Sequence, residues 1–397
     1  MKPRDLQIPI SRPALEIGDR ITGFGWRDHT GASLSLDDDA HAGRVTLLLC
    51  ATTAKTAEAR QCLAAFAGRG DAFEDAGVQV LVVTADGCED GAALAEGLPR
   101  SFTSVCDPSF ATGRALGLRT PGSCEAVAKG APAWCALVLD EAGRIELLVD
   151  AEPGEEEASA ALAYCVARAE AEVPVVMTRQ PPVLMVPRLI SQDHCARLIE
   201  AWEGSQRYQG GVANSRGQRH QVDRSFKVRE DVALGDLDSQ AQGLFAIFRR
   251  RLFPEIRKTF GFHVSRAETL RLGCYDSRAG GLFKAHRDNT APAVRHRRFA
   301  MSLFLNTGEY EGGYLRFPEY GPQLYSPPPG SAVVFSCSLL HEVTPVASGR
   351  RFGLFGFFHG EVEEALRRAR KEAYEYILVD RPAKLYSVAT GARPRKG

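Results

Sequence analysis

Three side chains in the second half of the chain have types and an order that suit a metal ion. His286 and Asp288 are separated by one residue, and a further imidazole, His341, follows downstream. Because side chains alternate along a strand, His286 and Asp288 would point to the same face, about 6.6 Å apart along the backbone. Two imidazoles and one carboxylate form a facial triad, which leaves about three of six octahedral positions on a ferrous ion open.

A cation follows these three residues. Arg351 comes shortly after His341, at the start of an aromatic and apolar run, 352–358, that we predict to be a strand. A guanidinium at the mouth of a strand can hold a carboxylate through two parallel hydrogen bonds. A second short apolar strand is predicted over 332–335, and His341 would follow it in a loop.

The pattern resembles a known family. The order His-x-Asp, His and Arg, with HEVTPVASGRR around the last pair and the pieces SLFLN and EGGYLRFP before it, is similar to the 2-oxoglutarate and Fe(II)-dependent oxygenases. It is most similar to their prolyl 4-hydroxylase-like branch, over about residues 182–362. The resemblance implies an α+β domain with a double-stranded β-helix, or jelly-roll, core.

The same resemblance implies a role for each residue. His286, Asp288 and His341 would bind Fe(II). Arg351 would hold the distal carboxylate of the co-substrate 2-oxoglutarate, and Tyr275 would hydrogen-bond the same carboxylate. Ascorbate is an additional cofactor that the family allows. The expected reaction is hydroxylation of an unactivated C–H bond in a protein side chain, an amino acid or a small metabolite. Halogenation would need a small residue in place of the carboxylate ligand.

Other interpretations of these residues are weaker. HRD also opens the catalytic loop of protein kinases, but that loop needs an Asn where this chain has Ala293. Zinc also binds His and Asp, so the residue types alone leave a zinc site open. A strand tyrosine such as Tyr275 is often only part of a core. Order, spacing and flanking strands together favour iron.

Composition bounds the protein class. The chain has 397 residues, enough for two or three domains. Its 49 Lys and Arg balance 49 Asp and Glu, so we expect neither nucleic acid nor a membrane surface as partner. No apolar run reaches the roughly 18 residues of a membrane span, and the start lacks the apolar core of a secretory signal. The ten cysteines are scattered without a Cys-x-x-Cys pair, which predicts a cytoplasmic protein.

The first half alternates buried-strand and helix patterns. Strands are predicted over 45–50, 78–84 and 136–140, which indicates an α/β domain with a central sheet. The succession GDRITGFGWRDHTGASLSL, VTLLLC, VQVLVVTAD and CDPSFATGRALGL resembles a peroxiredoxin of the thioredoxin fold, over about residues 13–170.

The peroxiredoxin active-site pattern, Pro-x-x-x-Thr-x-x-Cys, is incomplete. Thr56 keeps the threonine, but Thr52 replaces the proline and Ala59 replaces the reactive cysteine. Without a thiolate there is no nucleophile for a peroxide, so we expect no peroxidase activity. The alternative function is a peroxide-reducing or redox-sensing protein that uses Cys62, about one helical turn further on, with the second half as a binding module.

We predict three segments. A thioredoxin-like domain spans 1–172, a linker 173–182, and an oxygenase domain with a C-terminal helix and tail 183–397. The polar stretch 203–231 is expected to be a mobile loop near the substrate, with His220 and Arg224 as contact candidates, and a helix is predicted over 237–253. The substrate is an unspecified peptide, amino acid or metabolite, and the first domain could form a homodimer.

Overall fold

The structure is a computed structural model that describes residues 15–118, 132–149, 154–171, 174–211, 222–236 and 238–369. The chain divides into two compact units, Met1–Val176 and Met177–Gly397. None of the helices in the described ranges has the length and apolarity needed to span a membrane. The candidate residues His220 and Leu237 lie outside the described ranges.

The first unit alternates strands and helices. In chain order these are β1 (Arg27–Asp28), β2 (Thr46–Ala51), α1 (Ala57–Ala67), α2 (Gly70–Asp75), β3 (Gln79–Thr84), α3 (Cys88–Glu96), β4 (Phe102–Cys106), α4 (Ala111–Ala115), β5 (Trp134–Leu139), β6 (Ile145–Val149) and α5 (Glu155–Ala171). The strands form one sheet in the order β1-β4-β3-β2-β5-β6. Strands β2, β3 and β4 are parallel to one another, whereas β5 and β6 are antiparallel to their neighbours.

Burial explains why the first unit forms this sheet. Strands β2 and β3 are buried along their whole length, as continuous apolar runs require when both faces of a sheet are covered. Leu47 and Leu49 contribute to one apolar cluster, and Leu48 contributes to another. Because successive side chains point to opposite faces, the two clusters lie on opposite sides of the sheet. The predicted α/β, thioredoxin-like architecture is confirmed.

The second unit is mainly antiparallel. Its elements are β7 (Val183–Val186), α6 (Gln192–Glu203), β8 (Tyr208–Gln209), β9 (Lys227–Val228), β10 (Glu230–Ala233), α7 (Asp238–Arg251), α8 (Phe253–Phe260), β11 (Arg266–Ala267), β12 (Arg271–Asp276), β13 (Leu282–His286), β14 (Phe299–Phe304), β15 (Glu311–Gly312), β16 (Leu315–Arg316), β17 (Leu324–Tyr325), β18 (Ala332–Ser336), β19 (His341–Val343), β20 (Val346–Ser348) and β21 (Arg350–His359). A further helical stretch covers 361–369.

Two sheets form the body of this unit. The major sheet has the order β7-β18-β14-β21-β12-β10-β8, with β11 also paired to β21. The minor sheet has the order β17-β16-β19-β13-β9. Helices α6, α7 and α8 contribute to an apolar cluster with strands of the major sheet. This arrangement agrees with the jelly-roll core predicted from the sequence.

A smaller cluster joins the two sheets. Tyr275 lies on β12 and Val343 on β19, and Phe283 of β13 and Phe355 of β21 pack against them. The facing sides of the major and minor sheets therefore meet at this cluster. Most of the candidate residues of the sequence lie on the strands that border it.

Two local predictions were wrong, and a third was right in its main part. The helix predicted over 237–253 is present as α7, which ends at Arg251, and Pro254 lies in the first turn of the next helix, α8. A proline suits the first helical turn because its missing N–H has no partner there. The stretch 203–231, predicted to be a loop, contains β8 and β9 and reaches into β10. His341 begins a strand instead of lying in a loop.

Candidate metal and carboxylate site

The two imidazoles come from paired strands of the minor sheet. His286 is the last residue of β13 and His341 the first residue of β19, and the two are direct partners in the antiparallel register. Asp288 lies just beyond β13, where its backbone N–H donates to the carbonyl of Cys337 at 2.9 Å. The ligand atoms of His286, Asp288 and His341 all lie within 4.8 Å of one another. The sequence-predicted set is therefore brought together in space.

Backbone carbonyls determine which ring nitrogens carry hydrogen. Nδ1 of His286 lies 2.7 Å from the carbonyl oxygen of Lys284, and Nδ1 of His341 lies 3.0 Å from that of Leu339. A carbonyl oxygen only accepts, so both Nδ1 atoms must donate, and in the neutral rings both Nε2 atoms carry bare lone pairs. This is the arrangement in which proteins present histidine to a metal.

The free Nε2 atoms converge on the carboxylate. Nε2 of His286 lies 3.5 Å from Oδ1 of Asp288, and Nε2 of His341 lies 3.3 Å from Oδ2. The first of these nitrogens is buried and has no hydrogen-bond partner. Lone pairs that face a carboxylate repel it unless a cation lies between them. Two imidazoles and one carboxylate therefore fit a divalent metal such as Fe(II), bound from one side.

Local electrostatics favour the protonation states that a metal needs. Burial lowers the pKa of His341 to about 4. Burial opposes ionisation of Asp288, but a positive charge on the adjacent rings of His341 and His286 outweighs burial and holds the pKa of this carboxyl well below its usual range, and a metal ion at the same place would supply such a charge. Near pH 7 the site therefore offers a neutral His341 ring and a charged Asp288, and both can bind metal without first losing a proton.

Aromatic rings hold the two imidazoles in place. Phe283 stacks on His286 with ring centroids 3.6 Å apart, and Phe335 contacts His341 edge-on at 4.6 Å. The backbone carbonyl of Asp288 accepts a hydrogen bond from Nη1 of Arg297 at 3.4 Å. These contacts orient the ligands and keep water from one side of them.

Arg351 lies opposite, on the major sheet. It is fully buried on β21, in register with Tyr275 of β12. Its Nη2 donates to Oγ of Ser302 at 3.3 Å, whereas Nε and Nη1 have no hydrogen-bond partner. The guanidinium lies 5.1 Å from the ring centre of Tyr275 and 4.8 Å from that of Phe304. A buried cation with open donors is costly alone, and it fits the carboxylate of a ligand such as 2-oxoglutarate.

Tyr275 has a partner that the sequence analysis did not identify. Its hydroxyl accepts a hydrogen bond from Nη1 of Arg229 at 3.3 Å. Arg229 in turn forms an ion pair with Asp231, with 2.8 Å between Nη2 and Oδ2. Lys227 is a third buried charge in the same run. The sequence contains a pattern that could have identified these residues, the alternation Lys-x-Arg-x-Asp, which places three charges on one face of an extended chain.

The peroxiredoxin-type position lacks a thiol. Ala59 is fully buried in the first turns of α1, and its N–H donates to Oγ1 of the N-cap Thr56 at 3.1 Å. The helix start is thus capped by the chain itself. Cys62 is partly buried and packs against the apolar cluster beside the sheet. Cys50 is buried in β2, and a hydrogen bond with Cys135 together with burial raises its pKa.

Two family models match the chain. Residues 270–359 match the 2OG-Fe(II) oxygenase superfamily, a range that contains the three candidate metal ligands, Tyr275 and Arg351. Residues 17–147 match the AhpC/TSA family.

Sequence relatives match part of the chain. A PKHD-type hydroxylase of Shewanella baltica is 26% identical over 204 residues, which cover 47% of this chain and 82% of that protein. A PKHD-type hydroxylase of Bordetella pertussis is 30% identical over 138 residues, which cover 32% of this chain and 54% of that protein.

Solved structures resemble each unit in turn. A prolyl-4-hydroxylase of Pseudomonas putida covers 46% of this chain and 93% of its own, with 16% identity and a TM-score of 0.35. A peroxidoxin, BcpB of Mycobacterium tuberculosis, covers 38% of this chain and 97% of its own, with 17% identity and a TM-score of 0.33. From the family matches and the site, the chain joins a region that matches the AhpC/TSA family, of peroxiredoxin-like fold, to a region that matches the 2OG-Fe(II) oxygenase superfamily, and it is a 2-oxoglutarate- and Fe(II)-dependent hydroxylase.

Proposed function

We propose that His286, Asp288 and His341 bind the Fe(II) of this hydroxylase and that Arg351 binds the distal carboxylate of 2-oxoglutarate. The observation that carries the proposal is the fully buried Arg351, two of whose nitrogens have no partner. A purely structural zinc site would have no use for such a group. A co-substrate that places one carboxylate on the metal and the other on a cation needs both features.

Each residue of the proposed site has its own role in the reaction. When bound, Fe(II) and 2-oxoglutarate reduce dioxygen and supply the oxidising power, and the co-substrate leaves as succinate and carbon dioxide. The carboxylate of Asp288 balances part of the metal charge, and the Nδ1–H groups of His286 and His341 fix the ring orientations through backbone carbonyls. Phe283 and Phe335 exclude water from the ligand side.

Tyr275 can assist Arg351 as predicted. Its hydroxyl oxygen accepts from Arg229 at 3.3 Å, so its own hydrogen remains for donation to a carboxylate. The phenol is 1% exposed, and its ring lies beside the Arg351 guanidinium. We therefore assign Tyr275 to the co-substrate pocket, with its hydroxyl oriented by Arg229.

The substrate is an unactivated C–H bond in a peptide side chain, an amino acid or a small metabolite. We further propose that the first unit, 1–172, has lost peroxidase chemistry and serves as a scaffold, a dimer surface or a docking module, with 173–182 as the linker and 183–397 as the oxygenase domain. The scattered cysteines of the sequence support a reducing cytoplasm.

Anaerobic titration tests the ligand assignment. Addition of Fe(II) and then 2-oxoglutarate should produce the visible absorption of a keto acid chelated to iron in the wild-type protein. His286→Ala should abolish this band, and His263→Ala, a change at an exposed histidine of the same unit, should retain it. A band of wild-type strength in His286→Ala would overturn the assignment.

A further inference from the structure

Lys227 is a buried cation near the candidate metal ligands. Its side chain is 6% exposed and lies on β9, an edge strand of the minor sheet, in register with Phe283. The ammonium lies 4.8 Å from the ring centre of Phe283, and that ring stacks on His286. The Phe283 ring therefore contacts both the ammonium and the candidate metal ligand, and Asp288 is among the charges that act on Lys227.

The neighbouring carboxylate forms only a long ion pair with this ammonium, without a hydrogen bond. The nearest acidic oxygen is Oδ2 of Asp231 at 3.8 Å, which is beyond hydrogen-bond distance. Both oxygens of Asp231 are engaged by the guanidinium of Arg229. Within the described residues the three N–H groups of Lys227 meet no acceptor at hydrogen-bond distance. The three side chains therefore carry one unbalanced positive charge.

Such a charge needs an anion. A buried ammonium without a hydrogen-bonded partner costs several kcal/mol. Burial lowers the pKa of Lys227 to about 7, and the nearby Arg229 adds to the effect. Gly210 closes the site from another side, since a Cβ there would lie 2.9 Å from Nζ. An anionic group on a bound molecule would satisfy the N–H groups and restore the charged form.

In the proposed function both carboxylates of the co-substrate are already bound by other groups, so neither is available to Lys227. The distal carboxylate of the co-substrate pairs with Arg351 on the major sheet and its other carboxylate faces the metal. Lys227, on the minor sheet and separated from Tyr275 by Arg229, is left for the second reactant. We propose that Lys227 binds a carboxylate of the substrate close to the carbon that is oxidised, so that the preferred substrates of this hydroxylase are carboxylic acids rather than neutral compounds. This inference rests on the proposed function and narrows its substrate class.

Acetate is a suitable probe because it carries the proposed group and little else. The full-length protein would be loaded with Mn(II), which does not turn over, and saturated with 2-oxoglutarate. Relaxation of the acetate methyl protons by the bound Mn(II) then reports acetate near the metal, and acetamide is the neutral control ligand. Variants Lys227→Met and Lys227→Arg would be compared with Lys258→Met, a change at an exposed lysine on α8.

The expected pattern is specific. Wild type, Lys227→Arg and Lys258→Met should relax acetate more than acetamide, and Lys227→Met should weaken acetate binding by about tenfold or more, since a hydrogen bond to a charged group contributes about 1.5–3 kcal/mol. Equal acetate relaxation in wild type and Lys227→Met would overturn the proposal, as would the absence of a preference for acetate over acetamide.

A separate titration of 2-oxoglutarate distinguishes the two sources of carboxylate. If Lys227→Met binds 2-oxoglutarate more weakly than the wild-type protein does, Lys227 binds the co-substrate, and its assignment to the substrate is overturned. Unchanged 2-oxoglutarate affinity together with weaker acetate binding supports it. Binding of Mn(II) and of 2-oxoglutarate to the wild-type protein is measured before any acetate is added. Failure to bind either of them would show that the proposed function itself is wrong.

Discussion

At the scale of single residues, the candidate site depends on hydrogen bonds that are invisible in the sequence pattern. His286 and His341 face the metal position with Nε2 because backbone carbonyls of Lys284 and Leu339 hold their Nδ1 hydrogens. On the major sheet, Arg351 keeps two donors open. One set of residues thus presents lone pairs and the other presents N–H groups, which is the complementarity that a metal-chelating dicarboxylate requires.

Removal of the Arg351 side chain tests the carboxylate assignment. Arg351→Ala should weaken 2-oxoglutarate binding by about 100-fold, because a bidentate charge-assisted interaction of roughly 3 kcal/mol is lost. The measurement is calorimetric titration of 2-oxoglutarate into Mn(II)-loaded protein. Arg350→Ala is the matched control, since Arg350 is exposed and pairs with Glu203 at the surface. Wild-type affinity in Arg351→Ala would show that another group holds the distal carboxylate.

Some of the residues of the candidate site could be identified from the sequence, whereas others could not. His-x-Asp, His and Arg were recognisable because their order and spacing are unusual together. Lys227 and Arg229 were interpreted as part of a polar loop because charged residues are mostly exposed. Their burial depends on pairing of β9 with β13 and of β10 with β12. Such long-range pairing cannot be inferred from local composition.

At the scale of elements, a close approach of Gly313 to the Arg351 side chain shapes the surroundings of the guanidinium. Gly313 follows β15 and has a φ of +60°, and a Cβ there would lie 3.0 Å from Cδ of Arg351 and 2.9 Å from Cγ2 of Val346. Gly280 has a similar φ of +76°, but nothing lies within 4 Å of its virtual Cβ. The two glycines therefore share backbone strain and differ in contact with the arginine.

Alanine substitutions at Gly313 and Gly280 test whether the contact with Arg351 affects co-substrate binding. Both Gly313→Ala and Gly280→Ala should destabilise the fold by about 1–2 kcal/mol because of the left-handed backbone. Only Gly313→Ala should also displace Arg351 and weaken 2-oxoglutarate binding, by roughly tenfold. Urea unfolding and the same calorimetric titration measure the two effects. Equal 2-oxoglutarate affinity in the two variants would mean that the contact does not position Arg351.

A buried ion pair anchors the segment that carries Asp288. Glu268 accepts from Nε of Arg297 at 2.6 Å and from Nη2 at 2.7 Å, and Arg297 also donates to the backbone carbonyl of Asp288. Burial alone would raise the pKa of Glu268, but hydrogen bonds from His296 and Arg297 lower it from 4.5 to about 2. Since the folded-state pKa lies below the unfolded value, the pair stabilises the fold fully above pH 4.5.

This stabilisation should disappear as the pH falls from about 4.5 to about 2. Glu268→Gln should reduce the free energy of unfolding by about 3 kcal/mol at pH 7, because Arg297 is left buried without its anion. The difference between variant and wild type should shrink over the acid range. Glu203→Gln, which removes an exposed ion pair, should change stability by less than about 1 kcal/mol. A constant difference between pH 7 and pH 3 would contradict the electrostatic origin.

At the scale of the whole molecule, the second unit has all the residues expected of its candidate site, whereas the first unit lacks the reactive cysteine expected of a peroxiredoxin site. The oxygenase unit retains a convergent ligand set and an open guanidinium, whereas the first unit has Ala59 at the position of the peroxidatic thiol. The alternation of buried strands in the first half was enough to predict its sheet. In the second unit the helix pattern was enough to predict α7, but the separate helix α8 that begins at Phe253 was not predicted, because a proline can either end a helix or begin one.

Peroxide consumption tests the interpretation of the first unit. Cys62 is partly buried and lies about one turn beyond the start of α1, away from the N–H groups at the helix N-terminus that would stabilise a thiolate. Wild type and Cys62→Ser should therefore consume hydrogen peroxide at the same slow rate in the presence of a dithiol reductant. Rapid consumption that depends on Cys62 would show that the unit has retained peroxidase chemistry with a relocated thiol.

The most direct test of the central claim is succinate formation from 2-oxoglutarate. The protein would be reconstituted with Fe(II) without oxygen and then exposed to air, with His286→Ala and His263→Ala alongside. We predict succinate from wild type and His263→Ala, through slow turnover uncoupled from substrate, and none from His286→Ala. Succinate from His286→Ala at the wild-type rate, or a wild-type protein that forms no succinate and binds neither Fe(II) nor 2-oxoglutarate, would contradict the account.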